Sequence, residues 1–154
     1  MTSRARAASD AWEALLTAHA VLMKRFAAED IWENVSLREY DVLYTLSKCP
    51  EPVRQGELHR HVLLSQPALS RMVDRLVARG LVERQPDLAD GRGVRLSLTP
   101  AGRHWQRRIG GRHALGVTRA MTAALDAEEL GQLERLCRKL AGHGHYAQTQ
   151  EMTP

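Results

Sequence analysis

The hydrophobic pattern of this chain changes its period near residue 80, and this change constrains the fold more than any other feature. Before it, apolar residues recur every three to four positions, as they do in amphipathic helices. After it, Val94, Leu96 and Leu98 alternate with polar residues, which predicts a half-buried strand. The helical period returns after Pro100. The sequence therefore predicts a mainly α-helical protein with one small β-hairpin.

Four helices are predicted before the hairpin, and local signals mark their ends. Ser36 and Glu39 form a capping box at the start of the second helix. Ser65 is the predicted N-cap of the fourth helix, Pro67 lies in its first turn, and Gly80 suits the residue that follows its last turn. The predicted helices cover about residues 10–30, 36–48, 54–61 and 67–79.

The hairpin and two further helices complete the predicted order. The strands are Leu81–Gln85 and residues 94–98, and the loop between them is polar and rich in turn-forming residues. Thr99-Pro100 begins a long helix that ends near residue 125. Gly110-Gly111 within it predicts either a kink or a close approach of another element. A capping box at Asp126 begins the last helix.

Two helices that are joined by a tight turn and followed by a β-hairpin form a winged helix-turn-helix. An α-helix fits the major groove of DNA, so a recognition helix exposes short polar groups and arginines that reach base edges and phosphates. The predicted helix at 67–79 has this kind of exposed face. The loop around Arg92 is thin and cationic, as a wing that enters the minor groove needs to be.

The recognition helix and the wing carry the candidate DNA contacts. Sequence discrimination is expected from Gln66, Ser70 and Arg71, and phosphate contacts are expected from Arg54 and Arg75. Asp90, at the wing base, is interpreted as a structural partner of Arg84 or Arg75. The full candidate set is Arg54, Ser65, Gln66, Ala68, Ser70, Arg71, Arg75, Arg84, Asp90, Arg92 and Arg95.

The run from Asp90 to Thr99 matches the D-x-R-x-x-x-x-x-L-T wing signature of the MarR family of bacterial transcriptional regulators. Ser65 to Arg84 also resembles that family's recognition helix and first wing strand. The resemblance implies a six-helix winged fold with N- and C-terminal dimerisation helices, an obligate dimer and repression of nearby genes. It implies one domain over residues 1–154, with dimerisation helices at 10–35 and 100–142 and a DNA-binding lobe at 36–99.

The chain departs from many members of that family at the wing tip. Gly91 and Gly93 stand where a second Arg or Lys beside Arg92 is common, so the tip is less basic. Arg95 is expected to compensate for this loss.

Positive charge is concentrated in the middle of the sequence. The whole chain has a formal net charge of +4, but the segment from Arg54 to Arg108 holds eleven arginines and five acidic residues, a surplus of six. The remainder therefore carries a net charge of −2. A basic segment between less basic flanks indicates contact with a polyanion such as DNA. The alternative interpretation is a solvated arginine-rich surface.

Several other classes are not favoured by the sequence. No apolar run approaches the roughly 20 residues that span a bilayer, and the polar N-terminus lacks a signal core, so a cytoplasmic protein is expected. No nucleophile elbow, phosphate loop or metal triad is present, so neither an enzyme nor a cofactor is expected. The histidine pairs, His59 with His61 and His143 with His145, are interpreted as solvated side chains rather than metal ligands.

The two cysteines have no motif spacing, which argues against a disulfide framework and a cysteine-based zinc site. Cys137 lies on an apolar helical face, which favours a packed core thiol over an oxidant sensor.

The predicted function is that of a homodimeric repressor that binds a pseudo-palindromic operator. The alternative is a winged-helix protein–protein interaction module that does not bind DNA. A small aromatic or phenolic effector is expected to control the repressor, because aromatic side chains and a histidine can hold a ring and a carboxylate. The candidate effector contacts are Trp12, His19, Tyr40 and Tyr44, with Trp32 as a further member. Packing in a dimer core is the alternative role for these aromatics.

Overall fold

The computed structural model describes residues 3–142, and this part of the chain contains six α-helices and three β-strands. The prediction of a mainly α-helical fold with a small β wing is confirmed. No helix in the described range is both long and apolar enough to cross a bilayer. The elements are α1 (Ser3–Ala27), α2 (Leu37–Ser47), β1 (Val53–Arg54), α3 (Gln55–His59), α4 (Gln66–Ala78), β2 (Val82–Pro86), β3 (Val94–Leu98), α5 (Pro100–Thr122) and α6 (Ala127–Ala141).

The chain separates into two compact units that divide after Ala114, within α5. The first unit contains α1 to β3 and the first two-thirds of α5, and the second contains the end of α5 and α6. The division into a lobe at 36–99 and dimerisation helices at 10–35 and 100–142 stays a prediction.

The helix ends follow the local signals in the sequence. Ser36 Oγ accepts a hydrogen bond from the Glu39 N–H at 3.2 Å, and Glu39 Oε2 accepts one from the Ser36 N–H at 2.8 Å. Asp126 forms the same reciprocal capping box at the start of α6. Ser65 Oγ accepts from the Ala68 N–H at 3.3 Å and caps α4. These contacts satisfy amide groups that a helix N-terminus leaves without partners.

Two elements differ from the prediction. α1 begins at Ser3, seven residues before the predicted start, because the Ala- and Arg-rich segment before Asp10 favours helix without an apolar stripe. β1 is not predicted at all, because a strand of two residues is too short to show an alternating pattern.

β1 joins the hairpin in a three-stranded antiparallel sheet with the order β1-β3-β2. Val53 pairs with Leu96 and Arg54 pairs with Arg95, while β2 pairs with β3 from Val82↔Leu98 to Pro86↔Val94. The short strand therefore places the backbone of Arg54 beside that of Arg95 at the base of the wing.

A shared apolar core holds α4 and the wing. The largest fully buried apolar side chains come from α2, α3, α4, the two hairpin strands β2 and β3, and α5, so each of these elements contributes to one packed interior. These side chains include Leu43, Leu58, Leu69, Leu76 and Leu96.

α5 runs without a break through Gly110-Gly111, which decides between the two predicted roles of this pair. A Cβ atom at Gly110 would lie 2.9 Å from Tyr40 Oη, whereas a Cβ at Gly111 would meet nothing. Gly110 is therefore a notch that receives the Tyr40 side chain, and the close-packing alternative describes it.

The two cysteines lie in different surroundings. Cys137 is exposed on α6, so the prediction of a packed core thiol is wrong. An apolar face on α6 misled the sequence reasoning, because no residue of that helix is buried. The half-buried Cys49 donates its Sγ–H to the Thr45 carbonyl at 3.3 Å, and burial, with Glu57 nearby, raises the pKa of this thiol.

Candidate nucleic-acid interface

α4 has one buried face and one polar face. Its buried residues are Leu69, Met72, Val73 and Leu76, which fix the orientation of the helix on the core. Gly80, with a φ of 70°, follows its last turn and redirects the chain into β2. The exposed face carries Gln66, Arg71, Asp74 and Arg75, and Ser70 is half-buried beside them.

Glu39 of α2 holds the arginines at the C-terminal half of α4. Its buried carboxylate accepts a hydrogen bond from Arg75 Nε at 3.1 Å and lies 3.8 Å from Arg79 Nη1. Burial raises the pKa of Glu39, but hydrogen bonds from the Ser36 backbone and from Arg75 outweigh burial, so the net pKa is below its ordinary value. Arg75 is thus oriented by a charged partner below it while half of its side chain stays exposed.

Arg84 on β2 pairs with Asp74 on α4, so an exposed ion pair links the wing to the recognition helix. The prediction that Asp90 pairs with Arg84 or Arg75 is therefore wrong, since both arginines have other carboxylate partners. The pattern around Glu39 predicts only a capping box, and nothing in the local sequence indicates its ion pairs with α4.

Asp87 is the charged centre of the wing base. Its side chain is 1% exposed, and its Oδ2 accepts hydrogen bonds from Arg54, whose Nε lies at 2.7 Å and Nη2 at 2.6 Å. Arg95 Nε lies 3.1 Å from Oδ1, and the Ala89 N–H donates to the same oxygen at 3.1 Å. The hydrogen bonds from Arg54, followed by those from Arg95, lower the pKa of Asp87 to about 2.

The two ion pairs of Asp87 change the interpretation of two candidate arginines. Arg54 is predicted as a phosphate contact and Arg95 as a basic substitute at the tip, but the structure gives both side chains a carboxylate partner. Arg95 also donates from Nη1 to the Pro52 carbonyl at 3.0 Å. DNA contacts by Arg54 and Arg95 stay predictions. Their role in anchoring Asp87 at the wing base was not predicted from the sequence.

Asp90 shapes the tip of the wing. Its Oδ1 accepts the backbone N–H of Arg92 at 3.3 Å, and its carbonyl accepts the Gly93 N–H at 2.8 Å. Its Oδ2 lies 3.8 Å from Arg54 Nη2. Asp90 therefore has the structural role that was predicted for it, although with different partners.

Arg71 and Arg92 differ from the other candidate arginines. Within residues 3–142, neither guanidinium has a hydrogen-bond or ion-pair partner, and both side chains are exposed. One lies on the polar face of α4 and the other at the wing tip. The arrangement therefore presents two arginines without protein partners on the two elements of a winged helix that meet DNA.

The comparisons with known proteins agree with this geometry. The model of the MarR family matches residues 33–93. The multiple antibiotic resistance protein MarR of Salmonella typhimurium is 31% identical over 107 residues, which cover 70% of this chain and 74% of that protein. The chain belongs to the MarR family. It is a DNA-binding transcriptional regulator of that family.

Solved structures of MarR-family proteins share the fold. A mutant MarR from Escherichia coli complexed with operator DNA has a TM-score of 0.75 and 25% identity, and the match covers 84% of this chain and 92% of that one. The PcaV transcriptional regulator from Streptomyces coelicolor, in complex with its natural ligand, has a TM-score of 0.66 and 28% identity. That match covers 92% of this chain and 96% of PcaV.

This MarR-family chain also has an aromatic cluster, formed where the end of α1, the following loop, α2 and α5 meet. The Tyr40 and Tyr44 rings stack with centroids 6.0 Å apart, and the centroids of Trp32 and His113 lie 5.5 and 5.4 Å from that of Tyr40. The structure thus brings together Tyr40, Tyr44 and Trp32 of the predicted effector set. The other members, Trp12 and His19, lie on exposed parts of α1.

His113 is the member of this cluster that the sequence reasoning missed. It follows the buried residues Trp105 and Ile109 at four-residue spacing, which is the signal that could have found it. Its Nδ1 lies 4.0 Å from Glu29 Oε2, and neither atom has a hydrogen-bond partner within the described residues. Burial lowers the pKa of His113, against the opposing effect of Glu29 and Asp41.

One of the two predicted histidine pairs, His59 with His61, lies within the described residues. His59 Nε2 forms a hydrogen bond with the Leu64 carbonyl at 2.8 Å, so this ring has a structural partner. His143 and His145 lie outside the described residues. Among residues 3–142 no cluster of three His, Cys, Asp or Glu side chains has a metal-binding arrangement.

Proposed function

We propose that the protein is a homodimeric repressor that binds a pseudo-palindromic operator and is released by a small aromatic or phenolic effector. The observation that carries the DNA-binding part is the pair of exposed arginines without protein partners, Arg71 and Arg92. Such arginines contact a phosphate or a guanine edge without breaking an existing ion pair. The complex of the Escherichia coli relative with operator DNA supports this choice of partner.

The recognition helix and the wing have different tasks in this proposal. Gln66, Ser70 and Arg71 read base edges in the major groove, and Arg71 is the residue that reaches guanine. Arg92 enters the minor groove and responds to its width rather than to base identity. Ser65 is the N-cap of α4 and Ala68 lies in its first turn, where backbone amides can face a phosphate.

The dimer is supported by apolar side chains that one chain leaves uncovered. α1 exposes Trp12, of which 59% is accessible, together with Leu15 and Leu16. α6 exposes Leu136 and Leu140 and buries none of its residues. Exposed apolar surface of this kind is typical of an interface, and a two-fold pair would place two recognition helices about one DNA turn apart. A pseudo-palindromic operator follows from that symmetry.

The effector part is supported by the aromatic cluster and by the ligand complex of PcaV. Tyr40 and Tyr44 offer a stacked aromatic surface, and Trp12 and His19 are the further candidate contacts on α1. A ligand that prefers one spacing of the recognition helices by about 1.4 kcal/mol weakens DNA binding tenfold. A cytoplasmic location, beside the chromosome, is part of the same proposal.

An electrophoretic mobility-shift assay with the DNA upstream of the gene tests the DNA-binding part. The expected result is a shifted band at nanomolar to micromolar protein, weaker at the higher of two salt concentrations. The double variant Arg71→Ala with Arg92→Ala is expected to lose the band. Arg107→Ala on α5 is the matched control, because it removes one exposed arginine outside the recognition helix and wing.

The same assay separates the proposal from the alternative of a protein–protein interaction module. A module of that kind would give no salt-dependent shift with any duplex. Light scattering at micromolar concentration tests the dimer, and a monomer there would contradict that part of the proposal.

Thermal-shift and mobility-shift screens with aromatic carboxylates test the effector. We expect a compound that stabilises the protein and releases DNA, and we expect both effects to weaken in His19→Ala or Tyr44→Ala. A compound whose effect survives both substitutions would contradict the proposed contacts.

A further inference from the structure

Asp87 is a buried carboxylate that holds two arginines from different elements. Arg54 is the last residue of β1 and Arg95 lies on β3, while Asp87 directly follows β2. The Arg54 guanidinium binds Oδ2 at 2.6 and 2.7 Å, and Arg95 Nε binds Oδ1 at 3.1 Å. The backbone adds to this anchor, since the Asp87 N–H donates to the Gly93 carbonyl at 2.9 Å and closes the wing-tip turn.

The two arginines are held, but they are not buried. The Arg54 side chain is 44% exposed and the Arg95 side chain is 33% exposed, whereas Asp87 itself is 1% exposed. They lie at the base of the same wing that presents Arg92 without a partner. Without the Asp87 charge, Arg54 would keep only the more distant Asp90 carboxylate at 3.8 Å and Arg95 only the Pro52 carbonyl, so both could approach phosphates beside Arg92.

Free arginines have a predictable effect on DNA binding. Each phosphate that an arginine neutralises increases the affinity for every DNA sequence and makes that affinity steeper in salt, by about 0.9 in the slope of log K against log salt. Phosphate contacts carry no base information, so two more of them raise binding to random DNA and reduce discrimination.

We propose that Asp87 is a specificity-determining residue of the DNA interface: it occupies Arg54 and Arg95, keeps both from DNA phosphates, and leaves Arg92 as the wing's DNA-contacting arginine. This inference rests on the proposed function. It gives Arg54 and Arg95 a role different from that of Arg92, although all three lie in the wing region. Asp87 acts through the arginines and is not itself a DNA contact.

The test is the salt dependence of binding to a random-sequence duplex, measured by fluorescence anisotropy from 50 to 200 mM salt. Asp87→Asn removes the charge but keeps the size of the side chain and one oxygen that can accept the Ala89 N–H. We expect its salt slope to be steeper than that of the parent by about 1.8, which is an additional loss of affinity of about twelvefold over this range. The ratio of operator affinity to random-duplex affinity is expected to fall.

Asp90→Asn is the matched control. It changes the net charge by the same amount in the same loop, but it leaves Arg54 and Arg95 on Asp87. We expect the control to keep the parent's slope to within about 0.5. If the salt slope became equally steeper in Asp87→Asn and Asp90→Asn, the cause would be the general change in charge, and the proposal would be overturned.

A second measurement does not depend on the folding of Asp87→Asn. Arg54→Gln and Arg95→Gln, each in the parent background, are expected to leave the salt slope on random DNA unchanged, since neither arginine contacts a phosphate. A slope that flattens by about 0.9 in either variant would overturn the proposal. A parent protein that binds no duplex at all would overturn the proposed function together with this inference, whereas a binding parent with an unchanged Asp87→Asn slope would overturn only the inference.

Discussion

The recognition helix and the wing both present an arginine to solvent, but different interactions hold them in place. α4 is fixed by a local cap at Ser65 and by a buried apolar face that includes Leu69 and Leu76. The loop of the wing is fixed by charge, through the Asp87 carboxylate and two arginines. One of these arginines, Arg54, lies 33 positions earlier in the sequence.

The two elements should therefore respond differently to mutation and to pH. A helix that is held mainly by apolar packing loses its position when a core side chain is truncated, and pH affects α4 chiefly through Glu39 and its ion pairs with Arg75 and Arg79. A loop that is held by an ionised carboxylate loses its anchor when that group is protonated or neutralised. Substitutions in each element and a pH titration test this contrast.

Truncation beneath α4 should have the largest effect. Leu76→Ala removes a side chain that is fully buried, so we expect the free energy of unfolding to fall by about 2–5 kcal/mol. Urea denaturation monitored by circular dichroism measures this. Leu63→Ala is the matched control, because Leu63 is 90% exposed just before α4 and its truncation should change stability by no more than about 0.5 kcal/mol. Equal losses in the two variants would contradict the packing of α4.

Truncation at the wing tip should affect binding and not folding. Arg92→Ala is expected to weaken operator binding by about 1–3 kcal/mol while the unfolding transition stays at the parent value. Fluorescence anisotropy with an operator duplex at physiological salt measures the first quantity, and thermal melting measures the second. Arg107→Ala on α5 is the control, with the same loss of charge outside the recognition helix and wing. Parent-like operator binding by Arg92→Ala would contradict the wing assignment.

The same contrast explains which features could be predicted from the sequence. Caps, prolines and apolar spacing act within a few residues, so the capping boxes at Ser36 and Asp126 and the buried face of α4 were predicted correctly. The partners of the wing arginines were not, because an ion pair between residues 33 positions apart has no periodic signal. Two residues of β1 bring Arg54 to Asp87, and a strand of that length has no pattern.

The aromatic cluster was predicted in part for a related reason. Tyr40 and Tyr44 are one helical turn apart, so their proximity follows from the sequence. His113 reaches them only because Gly110 lets α5 approach the Tyr40 side chain, and sequence spacing alone cannot show which helix lies opposite. Trp12 and His19 share a helical face with apolar neighbours, but that face is exposed in the single chain.

Acid should weaken the wing anchor in a defined pH range. The pKa of Asp87 is lowered from its ordinary value of 3.8 to about 2 by hydrogen bonds from Arg54 and Arg95. A carboxylate with a lowered pKa stabilises the folded state fully above its ordinary pKa, and this contribution is lost as the pH falls through about 2. We therefore expect the difference in unfolding free energy between the parent and Asp87→Asn to be constant above about pH 5 and to narrow from about pH 4 downward.

Urea titrations at pH steps from 6 to 2 measure this difference. Asp90→Asn, which removes the same charge three residues away, is the control. A parent-to-variant difference that stays constant down to pH 2 would show that the Asp87 charge does not anchor the wing.

The smallest expected effect is at the contact between the two regions. Asp74 on α4 and Arg84 on β2 form an ion pair whose side chains are 61% and 38% exposed. Solvent screens an exposed pair and its side chains lose conformational freedom, so such pairs contribute about 0–1 kcal/mol. A double-mutant cycle with Asp74→Ala and Arg84→Ala is expected to give a coupling free energy below about 1 kcal/mol in urea denaturation. A coupling above about 2 kcal/mol would show that this exposed ion pair holds the wing to α4 as strongly as Asp87 anchors the wing loop, and the contrast between the two anchors would fail.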